Sequence, residues 1–157
     1  MSVEHSTLTG SDLHEPKGTA AANTGEVYVA NGSGSGAWTA HHNRTVLTTR
    51  IDDISTASSA WVVSPVAGTI SKIYSVISGA ITGGAAALTA EIAGVAVTNG
   101  VITVAVSGSA AGIHDVATPT AANTVTAAGT GGVIEIVTDG GSTNTVSAVI
   151  TIEITPS

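Results

Sequence analysis

The chain has no cysteine, so neither a disulfide framework nor a thiolate metal site is open to it. Phenylalanine is absent too, and aromatic residues make up only 3% of the 157 residues. Large rings supply much of the buried area in ordinary cores. This core must be built from small and β-branched side chains. Each protomer therefore has modest hydrophobic stabilisation, and subunit contacts are expected to add to it. Charge is also scarce: 10% of residues are charged, against about a quarter in a typical soluble domain. The basic residues are Lys17, Arg44, Arg50 and Lys72, and the formal net charge is −7. So few cations cannot neutralise a run of phosphates, and a nucleic-acid partner is not expected. Long apolar runs are missing as well. The longest candidate, Ile70 to Leu88, is broken by Lys72, Ser75, Ser78, Gly79, Thr82, Gly83 and Gly84 and reads as strand–turn–strand. No membrane span is expected from it. The first residues lack a basic–apolar–small pattern, so a secretory signal is not expected either.

What is present changes character near residue 40. Residues 1–12 are polar and aperiodic, and residues 13–25 hold Pro16, Gly18, an alanine run and the turn signal Asn23-Thr24-Gly25. Glu26 to Ala30 alternates Val27 and Val29 against Tyr28, as a short strand does. Asn31 to Gly36 is a Gly/Ser linker by composition, and Trp38 follows it as one large anchor. The boundary predicted from this shift puts a docking arm and linker at 1–44 and a β-module at 45–157. The module, about 110 residues, has a common size for a β-sandwich.

From Thr45 onward, runs of Val, Ile, Thr and Ala are cut by Gly, Asn, Ser and Pro into about eight to ten strands. The candidates are Thr45–Asp52, Ala60–Val63, Gly68–Ser78, Ala86–Ile92, Val95–Thr98, Val101–Val106, Asn123–Thr126, Gly132–Thr138 and Thr145–Thr155. Asn99-Gly100 between two of them is a strong tight-hairpin signal, because both residues tolerate positive φ. Val146, Ala148, Ile150, Ile152 and Ile154 share one face of the last strand, with Ser147, Val149, Thr151, Glu153 and Thr155 on the other. One buried and one partly polar face is the pattern of antiparallel sheets in a sandwich. Trp61, inside Ser59-Ala60-Trp61-Val62-Val63, is expected to be buried in the core or an interface.

No catalytic constellation emerges. His41-His42 point to opposite faces if extended, and His5, His14 and His114 are isolated; one chain does not gather them around a metal. Glu135 and Glu153 sit in late strands and read as solvated strand faces. Asp52-Asp53 follow Arg50 as an ion pair or turn. Asp139-Gly140-Gly141 lacks the carboxylate cluster of a calcium loop. Gly32-Ser33-Gly34-Ser35-Gly36 matches a nucleophile elbow only as low-complexity sequence. The expectation is a protein that is not an enzyme and uses no cofactor.

Through Leu13-His14-Glu15-Pro16-Lys17-Gly18 and Val27-Tyr28-Val29-Ala30-Asn31-Gly32-Ser33-Gly34-Ser35-Gly36-Ala37-Trp38, the chain resembles the N-terminal segment of tailed-bacteriophage virion proteins, namely head-decoration or head-fibre proteins. Ala67-Gly68-Thr69-Ile70 and Thr118-Pro119-Thr120-Ala121-Ala122-Asn123-Thr124-Val125 are similar to their β-rich module. The resemblance implies a virion protein on the capsid exterior, made in the host cytoplasm, with the major capsid protein as partner and self-assembly as a homotrimer. Together with the strand pattern it leads to an all-β expectation: an antiparallel β-sandwich, jelly-roll-like, with an extended N-terminal arm. The docking residues expected in that arm are Leu13, Pro16, Val27, Tyr28 and Trp38. The alternative is a head- or tail-fibre module that binds host surface glycan.

Overall fold

The computed structural model describes residues 22–23, 26–30, 33, 36–40 and 44–157. The chain divides into two compact units, Met1–His42 and Asn43–Ser157. In the first, β1 (Glu26–Ala30) pairs antiparallel with β2 (Gly36–Ala40), in register from Glu26–Ala40 to Ala30–Gly36. Residues 36–40 are thus a strand, where composition had suggested the end of a linker and a lone anchor. The linker reading missed it because glycine and serine carry no alternation, and β2 is defined by its partner.

The second unit is all-β and antiparallel. Its strands are β3 (Thr45–Ile51), β4 (Ser58–Val63), β5 (Gly68–Ile77), β6 (Ala86–Ile92), β7 (Val95–Val104), β8 (His114–Ala117), β9 (Thr124–Val125), β10 (Val133–Thr138) and β11 (Ala148–Pro156). One sheet runs β4-β10-β6-β7. The other runs β3-β11-β5-β8, with β9 also on β5. Setting aside the two-residue β9, the first strand lies beside the last and the second beside the last but one. That order is the double Greek key of a jelly roll. It also makes β3 and β4 edge strands of the two sheets, packed near one another.

The core between the sheets is aliphatic. Ile54, Ile70, Ile73, Ile77, Ile81, Leu88, Ile134, Ile136, Ile150, Ile152 and Ile154 are fully buried. β11 shows why the strand forms where it does: Ala148, Ile150, Ile152 and Ile154 point inward, while Val149, Thr151 and Glu153 point outward. A one-residue slip would reverse every one of them.

Two expectations are corrected. Asn99-Gly100 is not a hairpin turn; it lies inside β7. The turn from β6 to β7 is Ala93-Gly94, both with positive φ (53° and 77°). Asn99 does adopt positive φ, 58°, but in a strand irregularity. A loop holds it there: Thr98 N–H donates to the Ala121 carbonyl (3.0 Å), Thr120 N–H to the Thr98 carbonyl (3.0 Å), and the Asn99 amide to Thr120 Oγ1 (3.0 Å). A Cβ on Gly100 would come within 2.8 Å of Val97 Cβ, so glycine is required where the strand folds against itself. For Trp61 it is the core alternative that is corrected. The residue is 60% exposed, because β4 turns Ala60 and Val62 inward.

Candidate docking surfaces

The first unit carries an aromatic pair. Tyr28 on β1 and Trp38 on β2 are directly opposite in register, with ring centroids 5.4 Å apart and planes inclined at 66°. This edge-to-face contact is one of the favoured aromatic geometries. Gly36 makes room for it, since a Cβ there would sit 2.8 Å from the Tyr28 ring. Val27 and Val29 alternate to the other side and are exposed. At the entrance to β1, Glu26 accepts hydrogen bonds from the Asn23 backbone N–H (2.7 Å) and side-chain amide (3.2 Å). These bonds, the backbone one foremost, hold its carboxyl below the usual carboxylate range. Three expected docking residues, Val27, Tyr28 and Trp38, thus share one hairpin. Leu13 and Pro16 lie outside the described residues, as do His5, His14, His41 and His42.

The second unit carries a different surface, and only strand register reveals it. Trp61 on β4 stands opposite Glu135 on β10, and Glu135 stands opposite Glu91 on β6. All three alternate with core residues and therefore face outward. Val63 and Val101 on the same sheet's edge strands are exposed on this face as well. Glu91 carried no sequence signal of its own, since one half-buried glutamate in a strand is commonplace.

The outer face of the other sheet has the opposite charge. Arg50, Val149, Val76 and His114 form one row across β3, β11, β5 and β8. Arg44 pairs with Glu153, which also accepts from the Ser71 hydroxyl (3.2 Å). Glu153 is therefore an ion-paired residue with a side chain only 13% exposed, and not the solvated one expected. Arg50 pairs with Asp52 at 2.9 Å, both well exposed.

Elsewhere the polar groups close turns. Asp53 accepts from the Ser55 hydroxyl (2.6 Å), the Ser55 N–H (2.9 Å), and the hydroxyls of Thr56 and Thr145. The Ser55 hydroxyl foremost holds this carboxyl below its ordinary range. Asp139 accepts from the N–H groups of Ala87 and Gly141, both at 2.9 Å. No group of three or more His, Cys, Asp or Glu is placed to hold a metal among the described residues. A cavity lined by Ile77, Val104, Ile113 and Asp115 has about 60 Å³ of free space, room for water only. No helix among the described residues is long and apolar enough to cross a membrane. No protein-family model matches the chain, and no curated protein matches it.

Proposed function

We propose that this is a structural virion protein that decorates and stabilises a bacteriophage capsid exterior and docks through its N-terminal segment. The observation that carries the reading is the Tyr28–Trp38 hairpin within a unit separate from the sandwich. An isolated two-stranded hairpin is at best marginally stable in water. This one joins an aromatic pair to exposed Val27 and Val29, and both of its strands have a free edge among the described residues. Such an element gains most by adding to a sheet edge of a larger body. Backbone hydrogen bonds then supply affinity, and alternate side chains fill pockets. The resemblance of Leu13–Gly18 and Val27–Trp38 to phage head proteins supports the capsid shell as that body. Its role is mechanical: bridging shell subunits against internal pressure needs no catalytic group.

The test is co-sedimentation with undecorated particles. Full-length protein should pellet with them, and Tyr28→Ala/Trp38→Ala protein should stay in the supernatant while the amide shifts of its sandwich strands are unchanged. Retained binding by the double variant would sink the docking role of the hairpin.

One observation favours a second reading, a fibre module that binds host glycan. Trp61 is an exposed ring with the Glu135 carboxylate beside it, a combination that stacks on a sugar face and accepts from its hydroxyls. Saturable binding on a glycan array that Trp61→Ala abolishes would select it.

A further inference from the structure

We propose that the Trp61 face of the jelly roll is a self-association surface whose occupant is the Arg50 face of a second copy of this chain. The inference rests on the sandwich alone and is independent of the capsid reading.

The starting point is a conflict within one sheet. Glu135 and Glu91 are directly opposite on adjacent strands, an arrangement that like charges disfavour. No ion pair to either is found among the described residues. Beside them stand an exposed tryptophan and exposed Val63 and Val101. An apolar surface of this kind on a single molecule marks an interface, and exposed aromatics are its usual anchors. The partner that fits must bring one well-placed cation flanked by apolar side chains.

The chain itself carries that complement. All three described Lys and Arg residues lie on or beside the outer face of the opposite sheet: Arg44, Arg50 and Lys72. Arg44 is committed to Glu153, and Lys72 stands opposite the same glutamate. Lys72 has no ion pair among the described residues, and of the two ion-paired arginines Arg50 is the less committed. Its pairing with Asp52 joins side chains 60% and 91% exposed, and such surface pairs contribute little. Arg50 also begins the row Arg50–Val149–Val76, as Trp61 begins the row Trp61–Glu135–Glu91. Both rows step across strands at the same spacing, about 4.8 Å. Laid in opposite directions, they bring Arg50 over Glu91 and one strand away from Glu135, with Val149 over Glu135 and Val76 over Trp61. A planar guanidinium suits this place, because its fork can serve two carboxylates at once. The contact joins unlike surfaces, so it is heterologous, and every copy offers one of each.

The experiment is a charge swap on the full chain. Glu91→Lys/Glu135→Lys and Arg50→Glu proteins are made separately. Each is checked for unchanged β-sheet circular dichroism, and for an unchanged thermal midpoint at a concentration where wild type is monomeric, and mass is read by light scattering and sedimentation. Wild type should associate at micromolar concentration, more weakly as salt rises. Each swapped protein alone should associate about 100-fold or more weakly, because its two faces now repel. Mixing the two should restore an associated species containing both proteins, since at one contact lysine meets glutamate and at the other the unaltered Arg50 meets the unaltered Glu91 and Glu135. Trp61→Ala should weaken association without changing the salt dependence. A monomeric wild type, swapped proteins that associate as wild type does, or a mixture that stays monomeric would each overturn the proposal.

Discussion

Tyr28 and Trp38 stand directly opposite across the β1–β2 hairpin and meet edge to face at 5.4 Å. They are the only aromatic contact of the first unit among the described residues, and Gly36 is the residue that lets the tyrosine ring lie down. Packing beyond area burial in such a pair is about 0.5–1.5 kcal/mol, a large share for a two-stranded sheet. Tyr28→Ala is therefore expected to abolish the ordered hairpin while leaving the sandwich intact. NMR should show collapsed shift dispersion for residues 26–40 and unchanged amide shifts for β3–β11. Gly36→Val should do the same, without removing either ring.

The burial difference between Trp61 and the isoleucines gives a second prediction. Ile152 is fully buried among residues of both sheets, and removing such a side chain costs about 2–5 kcal/mol. Trp61, largely exposed, should cost the isolated protomer less than about 1 kcal/mol when truncated to alanine. Urea midpoints of Ile152→Ala and Trp61→Ala, taken at a concentration where wild type is monomeric, decide it. Equal losses would place Trp61 in the core after all.

The β7 irregularity and the β6–β7 turn make a third, paired prediction. Gly100→Ala puts a methyl group against Val97 and should destabilise by about 1–3 kcal/mol, as other overpacking does. Ala93 holds φ at 53°, a region that costs a residue with a Cβ about 1–2 kcal/mol. Ala93→Gly or Ala93→Asn should therefore raise stability, by up to about 1 kcal/mol once glycine's chain entropy is counted. Chemical denaturation of the two variants beside wild type checks both signs.

Acid sensitivity follows from Asp53. Its folded carboxyl titrates below the ordinary range because Ser55, Thr56 and Thr145 donate to the ionised form. A group depressed in the folded state stabilises fully above its unfolded pKa, about 3.9. That stabilisation is lost as pH falls through 4 and on toward the folded value. Asp53→Asn should flatten this part of the acid limb, so wild type loses more stability than the variant between pH 6 and pH 3. Parallel acid limbs would show that these hydrogen bonds do not discriminate between protonation states.

Much of the sandwich is legible in the sequence. β6 runs from Ala86 to Ile92 as the alternation predicted, and β3, β5, β10 and β11 fall within a few residues of theirs. Period-2 alternation with isoleucine on one side is a local property, and burying that side leaves one choice of face. The absence of phenylalanine and cysteine likewise determined an aliphatic core without covalent ties. What the sequence could not decide was set by partners distant along the chain. Ser59 to Val63 is apolar on both sides of the alternation, and only the β10 pairing turned Trp61 outward. Asn99-Gly100 satisfies a hairpin turn and a strand irregularity equally well, because both ask for positive φ. Hydrogen bonds from residues 120 and 121 chose the second. Glu91 and Glu135, forty-four positions apart, became neighbours through register alone. Local propensity acts over a few residues, whereas the charge of a sheet face is summed across strands, so only the folded chain could bring two glutamates together on one face and gather the arginines on the other.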